Sequence, residues 1–206
     1  MKIVALGDSL TVGETGLADE AVDPYPKCLA TLAEDYSHNL GLSAKIEVLN
    51  RGINGDLTSG MLERFPRDVA DYEPDYVIVL GGSNDVGWGL GLETIADNLA
   101  QIYDAARDNG IGAVACSVPS ILGCDELIPP RLRLNEIIRK EAASRKLPLL
   151  DFFKATADQR SNGLREDYSG DGLHLNSEGY KALARCVFDT WLKSELSQVY
   201  RDTKSR

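Results

Sequence analysis

Short apolar runs alternate with amphipathic segments along the whole chain. The runs have the length of buried β-strands, and the segments between them repeat apolar side chains every three or four positions, as helices do. The predicted strands cover residues 2–6, 45–49, 75–80, 111–117 and 148–152. The predicted helices cover residues 25–40, 58–69, 92–108 and 130–146, followed by a last helix that Asn176 caps and that ends near Leu196.

Local signals support several of these bounds. Pro24 and Pro26 stand at the start of the first predicted helix, where proline is tolerated. Asn109-Gly110 follows the third helix and is typical of a C-terminal cap. From Tyr76 to Leu80 the third strand is continuously apolar, which indicates that both of its faces are buried.

Strict alternation of strand and helix predicts the α/β fold class, with a parallel sheet between two layers of helices. Five strands fit the flavodoxin-like order 2-1-3-4-5. The 206 residues show no repeat and no linker-like stretch, so we predict one domain over residues 1–206. In such sheets the functional site lies beyond the carboxyl ends of the strands, where the strand order reverses.

Residues with useful chemistry follow four of the five predicted strands. Ser9 follows the first strand and Gly55 lies in the glycine-rich turn after the second. Asn84 follows the third strand, and Asp171 and His174 come after the fifth. Because the carboxyl ends of parallel strands meet at one edge of the sheet, we expect these residues to form one site.

A serine hydroxyl becomes a strong nucleophile when a base takes its proton during attack. Histidine suits this role because its reference pKa lies near neutrality. The chain has two histidines, and His38 lies near the end of a predicted helix, where we expect it at the surface. His174 is therefore the predicted base for Ser9.

A carboxylate should hold the imidazole ring and stabilise its protonated form. Asp171 lies three residues before His174, so one loop can supply both groups. Glu166 and Asp167 are also near, and a backbone carbonyl can orient a histidine as well. Asp171 is the predicted partner, with these alternatives open.

The negative intermediate of acyl transfer needs hydrogen-bond donors, and loss of one typically costs about 3–4 kcal/mol. The candidates are the backbone N–H groups of Ser9 and Gly55 and the side-chain amide of Asn84. Simpler explanations exist for each residue. Ser9 would cap a turn, Gly52 and Gly55 would supply positive φ, and Asn84 with Asp85 would form an Asx turn.

Four motifs together resemble the GDSL, or SGNH, hydrolase family. They are Gly7-Asp8-Ser9-Leu10, the Asn-x-Gly-x-x-Gly turn that ends at Gly55, Gly82-x-Asn84-Asp85 and Asp171-x-x-His174. The resemblance implies a three-layer α/β/α fold, hydrolysis of esters or thioesters through an acyl-serine, and no metal or cofactor. It implies that Ser9, His174 and Asp171 are catalytic and that Ser9, Gly55 and Asn84 form the oxyanion hole. Thr11 stands where many members have serine.

The amino-acid composition disfavours several classes of binding partner. The net charge of −10, from 22 basic and 32 acidic residues, disfavours nucleic acid and anionic membranes. The apolar runs are much shorter than the roughly 20 residues of a membrane span, so we expect no stable membrane insertion. The first residues lack the length of a secretory signal, which favours a cytoplasmic location. The four cysteines have no zinc-like spacing, and we expect free thiols.

The loops at the carboxyl edge should choose the substrate. Trp88 lies among glycines after the third strand, and Ile121 and Leu122 follow the fourth. These side chains would line a cleft for an acyl chain, or would pack the loops onto the sheet. We therefore predict a small-molecule carboxylic ester with a short or medium acyl chain.

Other activities remain open at this stage, namely lysophospholipase, acyl-thioesterase, carbohydrate acetylesterase and acyl transfer to an alcohol. An acyl-CoA would need basic residues, for which Arg131 and Arg133 at the rim are candidates. Four acidic residues soon after Ser9 oppose that substrate: Glu14, Asp19, Glu20 and Asp23. From another class, a non-catalytic module that binds a small ligand would leave the serine, histidine and aspartate unexplained.

Overall fold

A computed structural model describes residues 1–17, 21–41 and 45–204. Asp19 and Glu20, two of the acidic residues considered above, lie outside these ranges. The strands are β1 (Lys2–Gly7), β2 (Glu47–Gly52), β3 (Tyr76–Leu80), β4 (Gly112–Cys116) and β5 (Leu149–Leu150). The helices of the first half are α1 (Ser9–Val12), α2 (Tyr25–Asn39), α3 (Thr58–Asp68), α4 (Ser83–Gly87) and α5 (Leu92–Asp108).

The second half continues with α6 (Ile128–Arg145), α7 (Phe152–Thr156), α8 (Ser177–Val187) and α9 (Lys193–Lys204). A π-helical segment, Phe188–Leu192, joins α8 to α9. Short 3₁₀ turns lie at Ala70–Tyr72, Asp125–Leu127 and Glu166–Tyr168. Among the described residues, no helix combines the length and the apolar character that a bilayer crossing needs.

The five strands form one parallel sheet in the order β2-β1-β3-β4-β5, which confirms the predicted α/β fold and topology. The register aligns the carboxyl ends of the three strands that precede the site. Gly7 of β1 lies opposite Gly52 of β2 on one side and opposite Leu80 of β3 on the other. The loops that carry Ser9, Gly55 and Asn84 therefore leave the sheet at the same level.

The sheet divides the core into two clusters because side chains alternate along each strand. In β1, Ile3 and Ala5 pack with α2 and α8, whereas Val4 and Leu6 pack with α3, α5 and α6. Full burial of a valine, leucine or isoleucine side chain contributes about 1.5–3 kcal/mol. Apolar side chains on both faces of β1 explain why this strand reads as a continuous apolar run.

Several strands and helices begin or end at residues other than those predicted. β2 begins two residues later than predicted and extends through Asn50 and Arg51, because pairing with β1 continues as far as Gly52. β5 is shorter than predicted, since Asp151 leaves the sheet and caps α7 by accepting a hydrogen bond from the Lys154 N–H. Asn176 caps α8 as predicted, and the helical path continues past Leu196.

Candidate active site

Ser9 is held at the mouth of the sheet by its own local structure. It is the first residue of α1, and the side chain of Asp8 caps this helix by accepting a hydrogen bond of 3.0 Å from the Leu10 N–H. At this helical position the Ser9 N–H has no intrahelical acceptor. The short helix thus presents both the hydroxyl and a backbone donor of Ser9.

The structure brings Ser9, His174 and Asp171 into one hydrogen-bonded chain. Ser9 Oγ lies 3.2 Å from His174 Nε2, and His174 Nδ1 lies 2.7 Å from Asp171 Oδ2. These three residues come from opposite ends of the chain. Their arrangement matches a hydroxyl, a base and a carboxylate that orients the base.

Hydrogen bonds within the loop around Asp171 hold its carboxylate in place, independently of the imidazole ring. Asp171 Oδ1 accepts hydrogen bonds from the backbone N–H groups of Leu173, at 2.9 Å, and His174, at 2.7 Å. Ser169 Oγ donates to the His174 carbonyl at 2.6 Å and accepts from the Gly172 N–H at 2.9 Å. The other oxygen of Asp171 therefore has a defined direction towards His174.

These contacts also set the ionisation of Asp171. Partial burial opposes the charged carboxylate, but hydrogen bonds from the His174 ring and from the two N–H groups outweigh it, so the pKa of Asp171 is lowered. The alternatives have other partners. Asp167 pairs with Arg165 at 2.5 Å and, like Glu166, makes no hydrogen bond to His174.

The expected donors also converge on this edge. Asn84 is half-buried, and its Nδ2 donates a hydrogen bond of 2.9 Å to the carbonyl oxygen of Asp56, the residue after Gly55. One amide hydrogen is thereby used to fix the side chain, and the second remains. Gly55 is exposed and has a φ of 74°.

Asp85 joins the two loops that carry these donors. Its carboxylate accepts hydrogen bonds from the N–H of Thr58, at 3.1 and 3.2 Å, and from the Thr58 hydroxyl, at 2.6 Å. Thr58 is the first residue of α3, so Asp85 satisfies a free N–H at the start of that helix. The structure therefore gives Asp85 a structural role in joining the Asn84 and Gly55 loops.

The two glycines of the turn after β2 have different roles. Positive φ explains Gly55 but not Gly52, whose φ is not positive. A Cβ at Gly52 would collide with the backbone nitrogen of Val12 and lie 2.9 Å from the carbonyl oxygen of Asp8. Gly52 is needed because the backbone of α1 passes directly over it.

Asp8 is a buried carboxylic acid next to the nucleophile candidate, with 1% of its surface exposed. Burial raises the pKa of Asp8 to about 7, against the smaller opposite effects of the Leu10 N–H and His174. Its Oδ2 has no hydrogen-bond partner among the described residues. A neutral carboxylic acid at this position is favoured by the dry environment.

A cavity of about 240 Å³ adjoins Asn84. Trp88 and Ile121 line it together with Leu127 and Leu173, and Trp88 is 77% exposed. Leu122 does not line this cavity. It lines a separate polar cleft of about 770 Å³ behind the Asp171 loop, and its N–H donates to the Gly172 carbonyl.

Two arginines at this edge have roles that sequence reasoning missed. Arg131 was expected at the rim, but it is buried and lines the cavity beside Asn84. Arg64 is also buried and donates to the Gly7 and Arg51 carbonyls. Helical spacing places each arginine on the buried stripe of its helix, but spacing alone does not show which groups on other elements it contacts.

The remaining predictions concern residues away from the site. His38 is exposed in the last turn of α2, as predicted. All four cysteines are free thiols, as predicted, and Cys116 is fully buried in the core.

Comparisons with known proteins agree with the fold. The model of the GDSL-like Lipase/Acylhydrolase family matches residues 5–182. An arylesterase from Vibrio mimicus is 24% identical over 198 residues, covering 93% of this chain and 88% of the relative. Bacillus subtilis strain 168 has an uncharacterized lipoprotein, YqeF, that is 28% identical over 130 residues, or 59% of this chain and 50% of the relative. The crystal structure of a lipase/acylhydrolase from Enterococcus faecalis is 26% identical, has a TM-score of 0.73 and covers 96% of each chain.

Proposed function

The chain belongs to the GDSL-like Lipase/Acylhydrolase family, and we propose that it hydrolyses carboxylic esters of short or medium acyl chains through an acyl-serine intermediate. The strongest support is the pair of hydrogen bonds made by the His174 ring. Its Nε2 lies 3.2 Å from Ser9 Oγ, and its Nδ1 lies 2.7 Å from Asp171 Oδ2. In this proposal Ser9 is the nucleophile, His174 the base and Asp171 the residue that orients the base.

In the first half-reaction, Ser9 Oγ attacks the ester carbonyl while His174 Nε2 takes its proton. The carbonyl oxygen becomes negative, and we assign its donors to the N–H groups of Ser9 and Gly55 and to Asn84 Nδ2. Asp171 stabilises the imidazolium, to which it is already hydrogen-bonded. His174 then gives its proton to the leaving alkoxide, which departs as an alcohol and leaves the acyl group on Ser9.

In the second half-reaction, water attacks the acyl carbonyl and His174 takes a proton from that water. The same donors hold the second oxyanion. Its collapse breaks the bond to Ser9 Oγ, which recovers the proton from His174, and the carboxylic acid leaves. No metal or cofactor takes part in these steps.

The cavity beside Asn84 supports a small acyl group. Its volume of about 240 Å³ is below the roughly 300–1,000 Å³ of sites for drug-sized ligands. Trp88, Ile121, Leu127 and Leu173 give it apolar walls suited to an acyl chain. The Vibrio mimicus relative is named an arylesterase, so aryl esters are the first substrates to test.

The proposal extends to the whole chain and to its location. We propose that residues 1–206 form one catalytic domain, in line with a single sheet and a family match over residues 5–182. A cytoplasmic location stays a prediction, to be tested by cell fractionation, since one relative is named a lipoprotein. Small esters, rather than nucleic acids, are the proposed partners, given the net charge of −10.

The test is hydrolysis of p-nitrophenyl esters from acetate to long acyl chains, with wild type beside Ser9→Ala. We expect hydrolysis that peaks at short or medium chains and disappears in Ser9→Ala. Ser144→Ala is the control, because this exposed serine lies far from the cavity. It is 13 residues, or about 20 Å, beyond the cavity residue Arg131 on the same helix. A fluorophosphonate label should modify wild type and Ser144→Ala but not Ser9→Ala. Equal hydrolysis by wild type and Ser9→Ala would rule out the mechanism.

A further inference from the structure

The guanidinium of Arg131 is buried without an ionic partner. The side chain lies in the first turn of α6 and is 1% exposed. Its Nη2 donates a hydrogen bond of 3.2 Å to Ser83 Oγ, whereas Nε and Nη1 have no hydrogen-bond partner among the described residues. Arginine remains charged in proteins, so Arg131 places a full positive charge in the wall of the cavity beside Asn84.

This charge belongs to the same cavity as the proposed acyl site. Arg131 and Ser83 line the 240 Å³ cavity together with Asn84, the proposed oxyanion donor. The other walls are apolar side chains and Gly87. An acyl group bound to Ser9 in this cavity would therefore meet one cation among apolar surfaces.

The protein itself offers little compensation for that cation. In the described part of the chain, no carboxylate forms an ion pair with Arg131 within 4.0 Å. Burial lowers the pKa of Arg131, and the charge of Asp8 opposes that effect from a distance. Asp8 is itself a buried acid that ionises only near pH 7. A buried charge of this kind is costly unless it is paired.

We propose that Arg131 recognises a carboxylate on the acyl portion of the substrate, so that the preferred esters are half-esters of short dicarboxylic acids. This inference rests on the proposed ester hydrolysis and narrows its substrate class. The cavity of about 240 Å³ is small, which suits a short acyl group such as one of four carbons. Arginine is a favoured partner for carboxylates because its N–H groups match their oxygens.

Two methyl esters of nearly equal shape isolate the charge. Monomethyl succinate carries a terminal carboxylate, whereas methyl levulinate has a neutral methyl ketone at the same position. We expect wild type to favour monomethyl succinate by about 10- to 100-fold in kcat/KM, as for hydrogen bonds to charged groups. Dissociation constants of both esters for Ser9→Ala, from NMR titration, should show the same order without turnover.

Variants on one helix provide the control. Arg131→Met and Arg131→Gln remove the buried charge, and each should abolish the preference for monomethyl succinate over methyl levulinate. Arg133→Met removes an exposed charge two residues away and should keep the preference. Because burial of a cation without an ionic partner is costly, the thermal midpoint of Arg131→Met should be equal to or above that of wild type.

The outcomes separate this inference from the proposed function. Failure of wild type to hydrolyse p-nitrophenyl acetate would contradict the proposed ester hydrolysis, and the NMR titrations would still test the inference. Equal affinity for the two esters, or weaker affinity for monomethyl succinate, would overturn the inference. A preference retained in both neutral Arg131 variants would overturn it too. Unfolding of both variants would overturn it as well, because it would show that the charge of Arg131 is needed for the fold.

Discussion

Arg64 Nη2 donates a hydrogen bond of 3.0 Å to the carbonyl oxygen of Gly7, the last residue of β1. The same guanidinium donates to the carbonyl of Arg51 at 3.0 Å and pairs with Asp56 at 2.8 Å and Asp68 at 3.1 Å. One buried side chain on α3 therefore joins the ends of β1 and β2 to the turn that follows β2. Ser9 and Gly55 lie directly beyond these ends.

Arg64→Met should be much more destabilising than Arg67→Met. Removal of Arg64 leaves the Asp56 carboxylate without its ionic partner and takes one donor from the Gly7 and Arg51 carbonyls. Loss of one member of a buried pair costs about 3–5 kcal/mol. The Arg67 side chain is 72% exposed and pairs with Asp68 at the surface, so its loss should cost about 1 kcal/mol or less. Urea unfolding of both variants measures the difference. Similar midpoints would mean that Arg64 does not hold this edge together.

Asp171→Asn should lower kcat by about 10²- to 10⁴-fold, because an amide stabilises the imidazolium poorly and favours the wrong tautomer. Asp167→Asn is the matched control. It removes a carboxylate four residues away that pairs with Arg165 and makes no hydrogen bond to His174. Steady-state kinetics on p-nitrophenyl acetate give both values. If Asp167→Asn were the slower enzyme, the orienting carboxylate would be misassigned.

Asp8→Asn should make the protein more stable above pH 7 and change it little near pH 4. The folded pKa of Asp8 is raised from 3.8 to about 7 by burial, so the folded state holds its proton more tightly than the unfolded chain does. The free energy of unfolding therefore falls by about 2–4 kcal/mol as pH rises from about 4 to 7, because the unfolded chain loses this proton first. Asparagine avoids this cost and keeps an oxygen to accept the Leu10 N–H.

The measurement for Asp8→Asn is urea unfolding at several pH values between 4 and 8. Wild type should lose stability over this range relative to the variant, and the difference should be largest at pH 8. A difference that does not change with pH would show that Asp8 does not keep its proton in the folded protein.

Gly52→Ala should destabilise the protein by more than about 3 kcal/mol and reduce activity, because the new Cβ would displace backbone rather than a flexible side chain. The displaced atoms belong to α1, which carries Ser9. Gly41→Ala is a control for conformational cost alone, since Gly41 has a φ of 69° and open space around it. That variant should lose about 1–2 kcal/mol. Thermal unfolding and p-nitrophenyl acetate hydrolysis compare the two.

Local pattern was enough to predict the order of elements and of site residues. Apolar runs that stop at Gly7 and Leu80 marked β1 and β3 within one residue, because both strands are buried on both faces. The edge strand β2 was less predictable. Its end includes polar side chains, and only pairing with β1 keeps those residues extended.

The sequence by itself determined that a serine, an amide and a histidine with its carboxylate follow the first, third and fifth strands of a parallel sheet. Strand alternation allows few topologies, and all of them bring these residues to one edge. Only the tertiary structure decided that Arg131 lines the cavity instead of the rim and that the backbone of α1 packs against Gly52. It also decided that Arg64 joins the ends of β1 and β2 by hydrogen bonds. Those facts depend on how separate helices pack across the edge, and contacts between distant segments leave no periodic signal in the chain.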